Sequence, residues 1–371
     1  MTDIMMTDLK KLLVAGAAGL AALAAAAATV PAPAAEISPA LKAVAEAANK
    51  EGTLKLFLHG GAWGDGRGIQ RVQAGMNKMF GTKIEIKYAF GPSMGAIGNQ
   101  LMAEFKANRP AATDLYYGNG PYAVPHVTAK TIVPIDWSAL LPGRITDDME
   151  EAGGMALRFG SNLRQIAYNK NVLPNPPQTL EGYLAPSLKG KLATTPYAAG
   201  FTELIANPGW NGEKVLNYAK ALSEQISGLI GCGDEHRVAS GEFAAMVFTC
   251  GGDVEALADK GAPISVVTPR DFVAVSYFYV MVPKHAEHPN AAKLLVAYLM
   301  TEEGQKLNWE LERRDLHSFK GSHSAEVVDP AAKAATNGVI WRTLEWSLAN
   351  KEDRSVIPEV IKVFRSKGSG R

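Results

Sequence analysis

The sequence predicts an α/β fold with two lobes, each built on a mixed, mostly parallel sheet flanked by helices. Segments with strand-like and helix-like spacing alternate along the chain: Thr53 to Leu58 has the pattern of a strand, Gln70 to Phe80 that of a helix, and residues 84–88 alternate apolar and polar side chains. This alternation is typical of βαβ units with parallel strands. About 336 residues follow residue 35, more than one hydrophobic core usually contains.

The first 35 residues have the features of a secretory signal peptide. Lys10 and Lys11 precede an almost purely apolar, alanine-rich run over residues 12–30, and the small residues of 31–35 follow it. A basic start, an apolar centre and a small-residue exit are the parts of such a signal, so we expect cleavage after Ala35 and export. A single membrane anchor is the alternative, because the run approaches the length of a membrane span.

The next elements follow from spacing and capping chemistry. Residues 38–50 predict a helix rich in alanine and lysine. Ser93 is a good N-cap for a helix that carries Ile97 and Phe105 on one face. Residues 113–117 predict a third strand.

Composition narrows the class of protein. The formal net charge is +1, and the chain has neither a stripe of basic residues nor an acidic tail. Binding to nucleic acid is therefore not expected.

The sequence contains two cysteines, Cys232 and Cys250. An even pair in an exported protein predicts a disulfide, with two buried thiols as the alternative. Their spacing does not fit a zinc ribbon or a CxxC redox motif.

The segment from Pro263 to Leu307 is the most informative part of the chain. An apolar, β-branched and aromatic run over residues 273–282 predicts a strand that ends at Pro283. Residues 288–290 then open an amphipathic helix, with Pro289 in its first turn, where a missing N–H costs nothing. The apolar face of this helix is formed by Ala292, Leu295, Val296 and Leu299.

This strand and the following HPNAAKLLVAYLMTEEGQK resemble a stretch of the bacterial extracellular solute-binding proteins, the periplasmic receptors of ABC importers. Three further phrases resemble the same family in the same order. They are IVPIDW at 132–137, LRQIAYNKNVLPNPPQTLEGYLAPSLKGKLATTPY at 163–197 and RVASGEFAAMVFTCGGDVEAL at 237–257.

The resemblance implies a type II periplasmic-binding-protein fold with a hinge and a cleft that closes on a small-molecule ligand. It implies a periplasmic receptor that needs no cofactor, is not an enzyme and delivers its ligand to an ABC permease in the inner membrane. We expect lobe 1 to comprise residues 36–135 and 274–318, and lobe 2 residues 136–273 and 319–371. We also expect a monomer.

Four loops are candidates for holding the ligand, because ligands in open α/β sheets bind beyond the carboxyl ends of strands and near helix N-termini. They are the glycine-rich turn at 59–68, the turn at 90–93, the turn at 116–120 and the loop at 194–202. The candidate residues on them are His59, Trp63, Ser93, Tyr117, Asn119, Tyr197 and Thr202. Ordinary surface turns and a plain N-cap at Ser93 are the alternatives.

The arginines near the presumed hinge indicate which ligand charge such a site prefers. Arg158, Arg164 and Arg270 flank the presumed hinge strands, where a guanidinium can clamp a carboxylate or phosphonate. Salt bridges between lobes are the alternative. Arg164 and Arg270 are the candidate ligand contacts, Arg270 foremost, and Tyr277 on the strand that follows is a further one.

Other ligand classes stay open as alternatives. Iron-binding members of the family keep adjacent tyrosines shortly after the Gly-Glu of the RVASGE phrase, where this chain has Gly251 and Gly252. His59 alone makes no metal site, so no metal ligand is predicted. A polyamine receptor would use carboxylates such as Asp65, Glu203, Asp253 and Asp271. A secreted hydrolase is less favoured, because the chain has no GxSxG motif. The sequence therefore favours a small organic anion.

Overall fold

The computed structural model describes residues 37–60, 62–64, 66–249, 252–349 and 353–368. Its strands are β1 (Thr53–His59), β2 (Glu85–Gly91), β3 (Tyr116–Asn119), β4 (Glu150–Glu151), β5 (Ala156–Leu163), β6 (Ile166–Asn169), β7 (Leu192–Thr194), β8 (Ile226–Leu229), β9 (Ala245–Val247), β10 (Ile264–Val267), β11 (Val273–Met281) and β12 (Val339–Arg342). Its α-helices are α1 (Pro39–Glu51), α2 (Gly66–Phe80), α3 (Met94–Lys106), α4 (Gly120–Thr128), α5 (Trp137–Leu140), α6 (Phe201–Ile205), α7 (Gly212–Ser223), α8 (His236–Ala239), α9 (Asp253–Ala258), α10 (Pro289–Leu299), α11 (Glu302–Glu312), α12 (His323–Ala334), α13 (Leu344–Ala349) and α14 (Ile357–Gly368). Short 3₁₀ turns lie at Ala62–Gly64, Glu181–Leu184, Pro186–Leu188 and Asp353–Val356.

The first lobe is built on two sheets that share one core. Strands β1 and β2 pair in parallel, with His59 opposite Gly91 at their carboxyl ends. The second sheet has the order β12-β11-β5-β4, and β3 pairs antiparallel with β11. Leu56, Val280 and Leu295 are among the buried residues through which β1, β11 and α10 pack together.

The second lobe is built on a five-stranded sheet of order β10-β6-β9-β7-β8. Strand β7 pairs in parallel with β8 and β9, whereas β6 runs antiparallel to β9 and β10. Phe201 and Phe364 pack edge to face with ring centroids 5.1 Å apart. The C-terminal helix α14 therefore covers the core of this lobe.

The chain crosses between the lobes along adjacent strands. Leu163 at the end of β5 belongs to the first core, and Ile166 at the start of β6 belongs to the second. Between them, the Arg164 N–H donates to the Ala274 carbonyl at 2.8 Å. Strand β11 also pairs in parallel with β12, whose Ile340 packs in the second core. The hinge expected from the sequence is thus a ribbon of neighbouring strands.

The helix predicted after Pro283 begins at Pro289, as expected. The backbone N–H groups in the first turn of α10 have no acceptor within the helix. A residue far away in the sequence accepts them. The Glu51 carboxylate at the end of α1 accepts the backbone N–H groups of Asn290 at 3.2 Å and Ala291 at 2.8 Å. This contact fixes α1 against α10.

The two-lobed α/β fold predicted from the sequence is confirmed, and its sheets are mixed. Antiparallel pairs are about as frequent as parallel ones among the described strands, because β5, β6 and β11 pass between lobes in opposite directions. Strand β5, within the 136–273 range, pairs with β11 of the first-lobe sheet. The lobe boundaries stay a prediction.

Two predictions fall outside the described residues. The signal peptide over residues 1–35 lies there, and so does Cys250, so cleavage after Ala35 and the Cys232–Cys250 disulfide stay predictions. Within the described ranges, no helix combines the length and apolarity that a membrane span requires.

Replacing Glu51 by alanine should lower the free energy of unfolding by about 1–2 kcal/mol, because the first turn of α10 loses its carboxylate acceptor. Urea unfolding of the purified protein measures the change. Glu46→Ala is the matched control, since Glu46 is exposed on the same helix. Equal losses in both variants would show that the Glu51 contact contributes nothing.

Candidate functional site

Three strands of the first lobe end at one edge, where the predicted loops begin. His59 ends β1 opposite Gly91 of β2, and Asn119 ends β3, which packs beside β1. Ser93 caps α3, with its hydroxyl accepting the Ala96 N–H at 3.2 Å. The sequence-predicted residues of three loops therefore lie along this edge.

An aromatic group packs around Tyr117 just behind this edge. The Tyr117 ring centroid lies 5.1 Å from that of His59 and 5.9 Å from that of Trp63. Trp63 is fully buried and adopts a left-handed backbone conformation, with φ 48°. A large residue in this conformation is uncommon and requires support from its surroundings.

That support comes from Glu312, at the end of α11. The buried Glu312 carboxylate accepts the Tyr117 hydroxyl at 2.6 Å and the Trp63 backbone N–H at 2.5 Å. Arg314 Nη1 lies 3.5 Å from the same carboxylate, and its guanidinium packs over the Phe278 ring. Burial, reinforced by the Glu312 charge, raises the pKa of Tyr117 well above its usual value, so Tyr117 stays a hydrogen-bond donor. We call His59, Trp63, Tyr117, Glu312 and Arg314 the Tyr117 cluster.

Several polar atoms of this region are buried without a hydrogen-bond partner among the described residues. They are Trp63 Nε1, His59 Nε2, Arg314 Nε and Asn119 Oδ1. Trp63 Nε1 and Arg314 Nε are N–H donors, and His59 Nε2 is one in the appropriate tautomer. Because a buried donor without an acceptor is costly, the three nitrogens suit a ligand that brings acceptors, whereas Asn119 Oδ1 would accept from a ligand donor.

Two loops of the second lobe also meet at one edge. Thr194 at the end of β7 lies opposite Val247 at the end of β9. Phe248 then adopts a left-handed conformation, with φ 62°, and its ring packs on Gly200 at the start of α6. A Cβ added at Gly200 would lie 2.5 Å from that ring, so the close approach of the two loops requires glycine.

A buried ion cluster anchors these loops to the hinge. Glu203 on α6 accepts Arg164 Nη2 at 3.1 Å and Arg342 Nη1 at 2.7 Å. Arg164 Nη1 also donates to the Thr249 carbonyl at 3.2 Å. Burial alone raises the pKa of Glu203, but Arg342 and Arg164 outweigh it and lower the pKa to about 2. Two cations and one carboxylate leave this cluster with one positive charge.

Another carboxylate of this edge is Glu235, which is fully buried. It accepts the Thr249 hydroxyl at 2.8 Å and the Gly233 N–H at 2.8 Å. Burial is the main cause of its raised pKa. Tyr197 is 45% exposed nearby, with its hydroxyl 2.6 Å from the sulfur of Cys232.

The structure brings together only some of the residues predicted from the sequence. His59, Trp63, Tyr117 and Asn119 share one region of the first lobe, and Arg164 lies beside α6, which carries Thr202. Ser93 is exposed at the start of α3. The ligand-contact roles of these residues stay predictions.

Arg270 and Tyr277 lie elsewhere. Arg270 is exposed in a turn, and its carbonyl accepts the Thr336 N–H at 2.7 Å. Tyr277 is buried beneath Arg158, whose guanidinium lies 4.1 Å from the ring centroid and 2.5 Å from Glu151. Arg158 is thus held within the first-lobe sheet by an ion pair.

Glu312, Arg314 and Arg342 are candidate site residues that the sequence did not reveal. Glu312 and Arg314 follow the family-like helix phrase in a stretch, ELERRD, that reads as an exposed charged helix end. Glu312 and Arg314 lie near the candidate site because α11 packs against the loop at 62–64. The adjacent arginines in a chain of balanced charge were the one available signal.

A family model described as bacterial extracellular solute-binding protein matches residues 74–334. No curated protein matches the sequence. The solved structures that share the fold include the following three, whose sequence identities are too low to show more than the fold. The substrate-binding protein of an ABC transporter from Agrobacterium tumefaciens is 16% identical, with a TM-score of 0.67, covering 86% of this chain and 96% of that chain.

The periplasmic binding protein AfuA from Actinobacillus pleuropneumoniae, with fructose-6-phosphate bound, is 18% identical, with a TM-score of 0.64, covering 84% of this chain and 98% of that chain. The apo ferric ion-binding protein A from Pasteurella haemolytica is 16% identical, with a TM-score of 0.65, covering 85% of this chain and 98% of that chain.

The ion cluster at Glu203 should make stability depend on pH. Its folded-state pKa of about 2 lies below the ordinary 4.5, so its stabilisation is complete above about pH 4.5 and is lost as pH falls toward 2. The lowered pKa of Glu203 contributes about 3 kcal/mol to the free energy of unfolding above that range. The difference in free energy of unfolding between wild type and Glu203→Gln should therefore shrink between about pH 6 and pH 3. Glu213→Gln, on the exposed face of α7, should show a constant difference. A pH-independent difference for Glu203→Gln would contradict the assignment.

Proposed function

Because the chain belongs to the bacterial extracellular solute-binding proteins, we propose that it captures a small organic anion in the cleft between its lobes and delivers it to an ABC permease. The ligand class is a carboxylate or phosphonate. The receptor class rests on the family, and the ligand class rests on the side chains at the lobe edges.

One observation carries the anion proposal: the Tyr117 cluster holds N–H donors that have no acceptor. Trp63 Nε1 and Arg314 Nε are buried and unpaired among the described residues. Glu312, the carboxylate of the cluster, already accepts Tyr117 and the Trp63 backbone. A ligand oxygen therefore finds donors here, whereas a ligand ammonium finds the carboxylate occupied and only the neutral Asn119 Oδ1 unpaired among the described residues.

The second lobe supports the same charge preference. Glu203, one of the carboxylates that a polyamine would use, is already paired with two arginines. The three residues together carry a net positive charge. Asp271, another, accepts the Leu180 N–H at 3.0 Å. Asp65 lies outside the described residues, and Asp253 alone remains exposed. This arrangement favours an anion over a polyamine.

A metal or hydrolase function has less support. Within the described residues, no group of three or more His, Cys, Asp or Glu side chains converges closely enough to hold a metal ion. Ser161 Oγ lies 2.8 Å from His317 Nδ1, the one arrangement that resembles a nucleophile and base. However, Ser161 Oγ also accepts the His317 backbone N–H at 3.0 Å, and the His317 ring is stacked on Trp341. This pair joins strand β5 to the segment after α11, and we assign it no catalytic role.

The proposal is tested by a thermal-shift screen of carboxylates, phosphonates, sugar phosphates, amines and metal ions, followed by calorimetry with the anion that stabilises most. A true ligand well above its dissociation constant should stabilise by several kcal/mol. Stabilisation by amines or metals alone would contradict the anion proposal.

Arg314→Gln should weaken binding of the selected anion at least about 30-fold, as expected when one partner of a desolvated charge pair is removed. Arg270→Gln is the matched comparison, since that side chain is exposed. We expect it to change the affinity less than about threefold. The reverse result would move the anion clamp from Arg314 to Arg270, the residue that the sequence favoured.

A further inference from the structure

Helix α9 of the second lobe lies against the last turn of helix α11 of the first lobe. Val254 anchors α9 in a core of the second lobe, and Leu307 anchors α11 in the core of the first. We call the contact between residues 252–259 and residues 312–314 the α9–α11 seam. It joins the two lobes directly beside the Tyr117 cluster.

Gly252, at the start of α9, makes the closest approach in the seam. A Cβ added there would lie 2.9 Å from the Glu312 carbonyl oxygen and 3.7 Å from Arg313 Cβ. The first of these atoms is backbone and cannot rotate away. Gly252 also has φ 72°, a conformation that favours glycine. Any side chain at position 252 would therefore push α9 away from α11.

Arg313 supplies an ion pair across the seam. It ends α11 in a left-handed conformation, with φ 54°. Its Nη2 lies 2.6 Å from Oδ2 of Asp259, at the far end of α9. An exposed pair of this kind contributes little by itself, so it orients the two helices more than it holds them together.

The backbone turn at Arg313 directs its neighbours toward the candidate ligand site. Glu312, before it, accepts hydrogen bonds from Tyr117 and Trp63. Arg314, after it, interacts electrostatically with Asp253 in the first turn of α9. Residues 312–314 thus contact the ligand cluster and the opposite lobe at the same time.

We propose that the α9–α11 seam is the closing contact of the cleft, and that Gly252 and Arg313 are positioning residues that set Arg314 opposite Asp253 when the lobes close. The seam then determines how much of the population has the lobes closed. Ligand binding and seam formation are coupled, because both use the turn at residues 312–314. This inference rests on the proposed interlobe site, but its test needs no ligand.

The test measures how fast a short bismaleimide links cysteines placed on the two sides of the seam. The parent for this experiment carries Asp259→Cys and Arg313→Cys, whose native side chains already touch. Since the reaction requires both thiols to be close together, its rate follows the population of the closed seam. The protein without these two substitutions provides the background from its native cysteines.

Adding Gly252→Ala to this parent should slow the crosslink at least fivefold. Gly261→Ala is the matched control, because Gly261 also has a positive φ, 84°, but its added Cβ meets no atom within 4 Å. It should leave the crosslinking rate unchanged. Equal rates in all three proteins, or equal slowing by both glycine substitutions, would overturn the proposal.

A second variant keeps the proposal testable if Gly252→Ala does not fold. Asp259→Arg, in the otherwise native chain, places a like charge opposite Arg313 at a side chain that is 62% exposed. Small-angle scattering of the ligand-free protein should then show a larger radius of gyration than wild type. An unchanged scattering curve would overturn the seam as the closing contact. Neither result depends on whether the ligand is an anion, so failure here is distinct from failure of the proposed ligand class.

Discussion

The hydrogen-bonded ribbon between the lobes is the constraint on which the rest of the structure depends. Arg164 donates its backbone N–H to Ala274, and β11 pairs with β12, so the crossing segments cannot move independently. A ribbon of this kind resists shear along its hydrogen bonds but can bend and twist. Rotation about the ribbon is therefore the motion that this connection allows between the lobes. Such a rotation would change the distance between loops that leave the strand ends of the two sheets, among them those at 117–120 and 195–200.

One backbone turn, at Arg313, connects the Tyr117 cluster with the contact between the two lobes. Arg313 adopts a left-handed conformation, so the residues on its two sides do not continue along the face of α11. Glu312 orders the loop of Trp63, whose own left-handed conformation is sustained by the same carboxylate. The uncommon backbone conformations of Trp63 and Arg313 thus both lie at the candidate site, where the surroundings hold them in place.

The sequence predicted the elements whose information is local and left out those that depend on distant partners. The strand and helix around Pro283 were predictable because the apolar period, the proline and the helix start all lie within one segment. Glu51 as the cap of α10, and Glu312 as the acceptor for Trp63, join residues more than 230 positions apart, and no spacing rule contains such pairs. The prediction of Arg270 as the foremost ligand contact shows the same limit. Its position in the sequence beside a presumed hinge strand did not reveal that its side chain is exposed.

In the proposed anion site, the charges around Glu203 are a reason why not every nearby arginine would touch the ligand. Transferring Arg164 from Glu203 to a ligand would leave a buried carboxylate with one partner fewer, and breaking such buried pairs is costly. Arg164 is better suited to remain with Glu203, and Arg342 completes the compensation. The excess positive charge of the three groups then raises the local concentration of anions near the loops that they anchor. A buried Nε–H without a partner among the described residues belongs to Arg164 and Arg342 as well as to Arg314. In the proposed anion site, both lobe edges therefore offer N–H donors. The excess charge lies beside Glu203, because Glu312 balances the charge of Arg314.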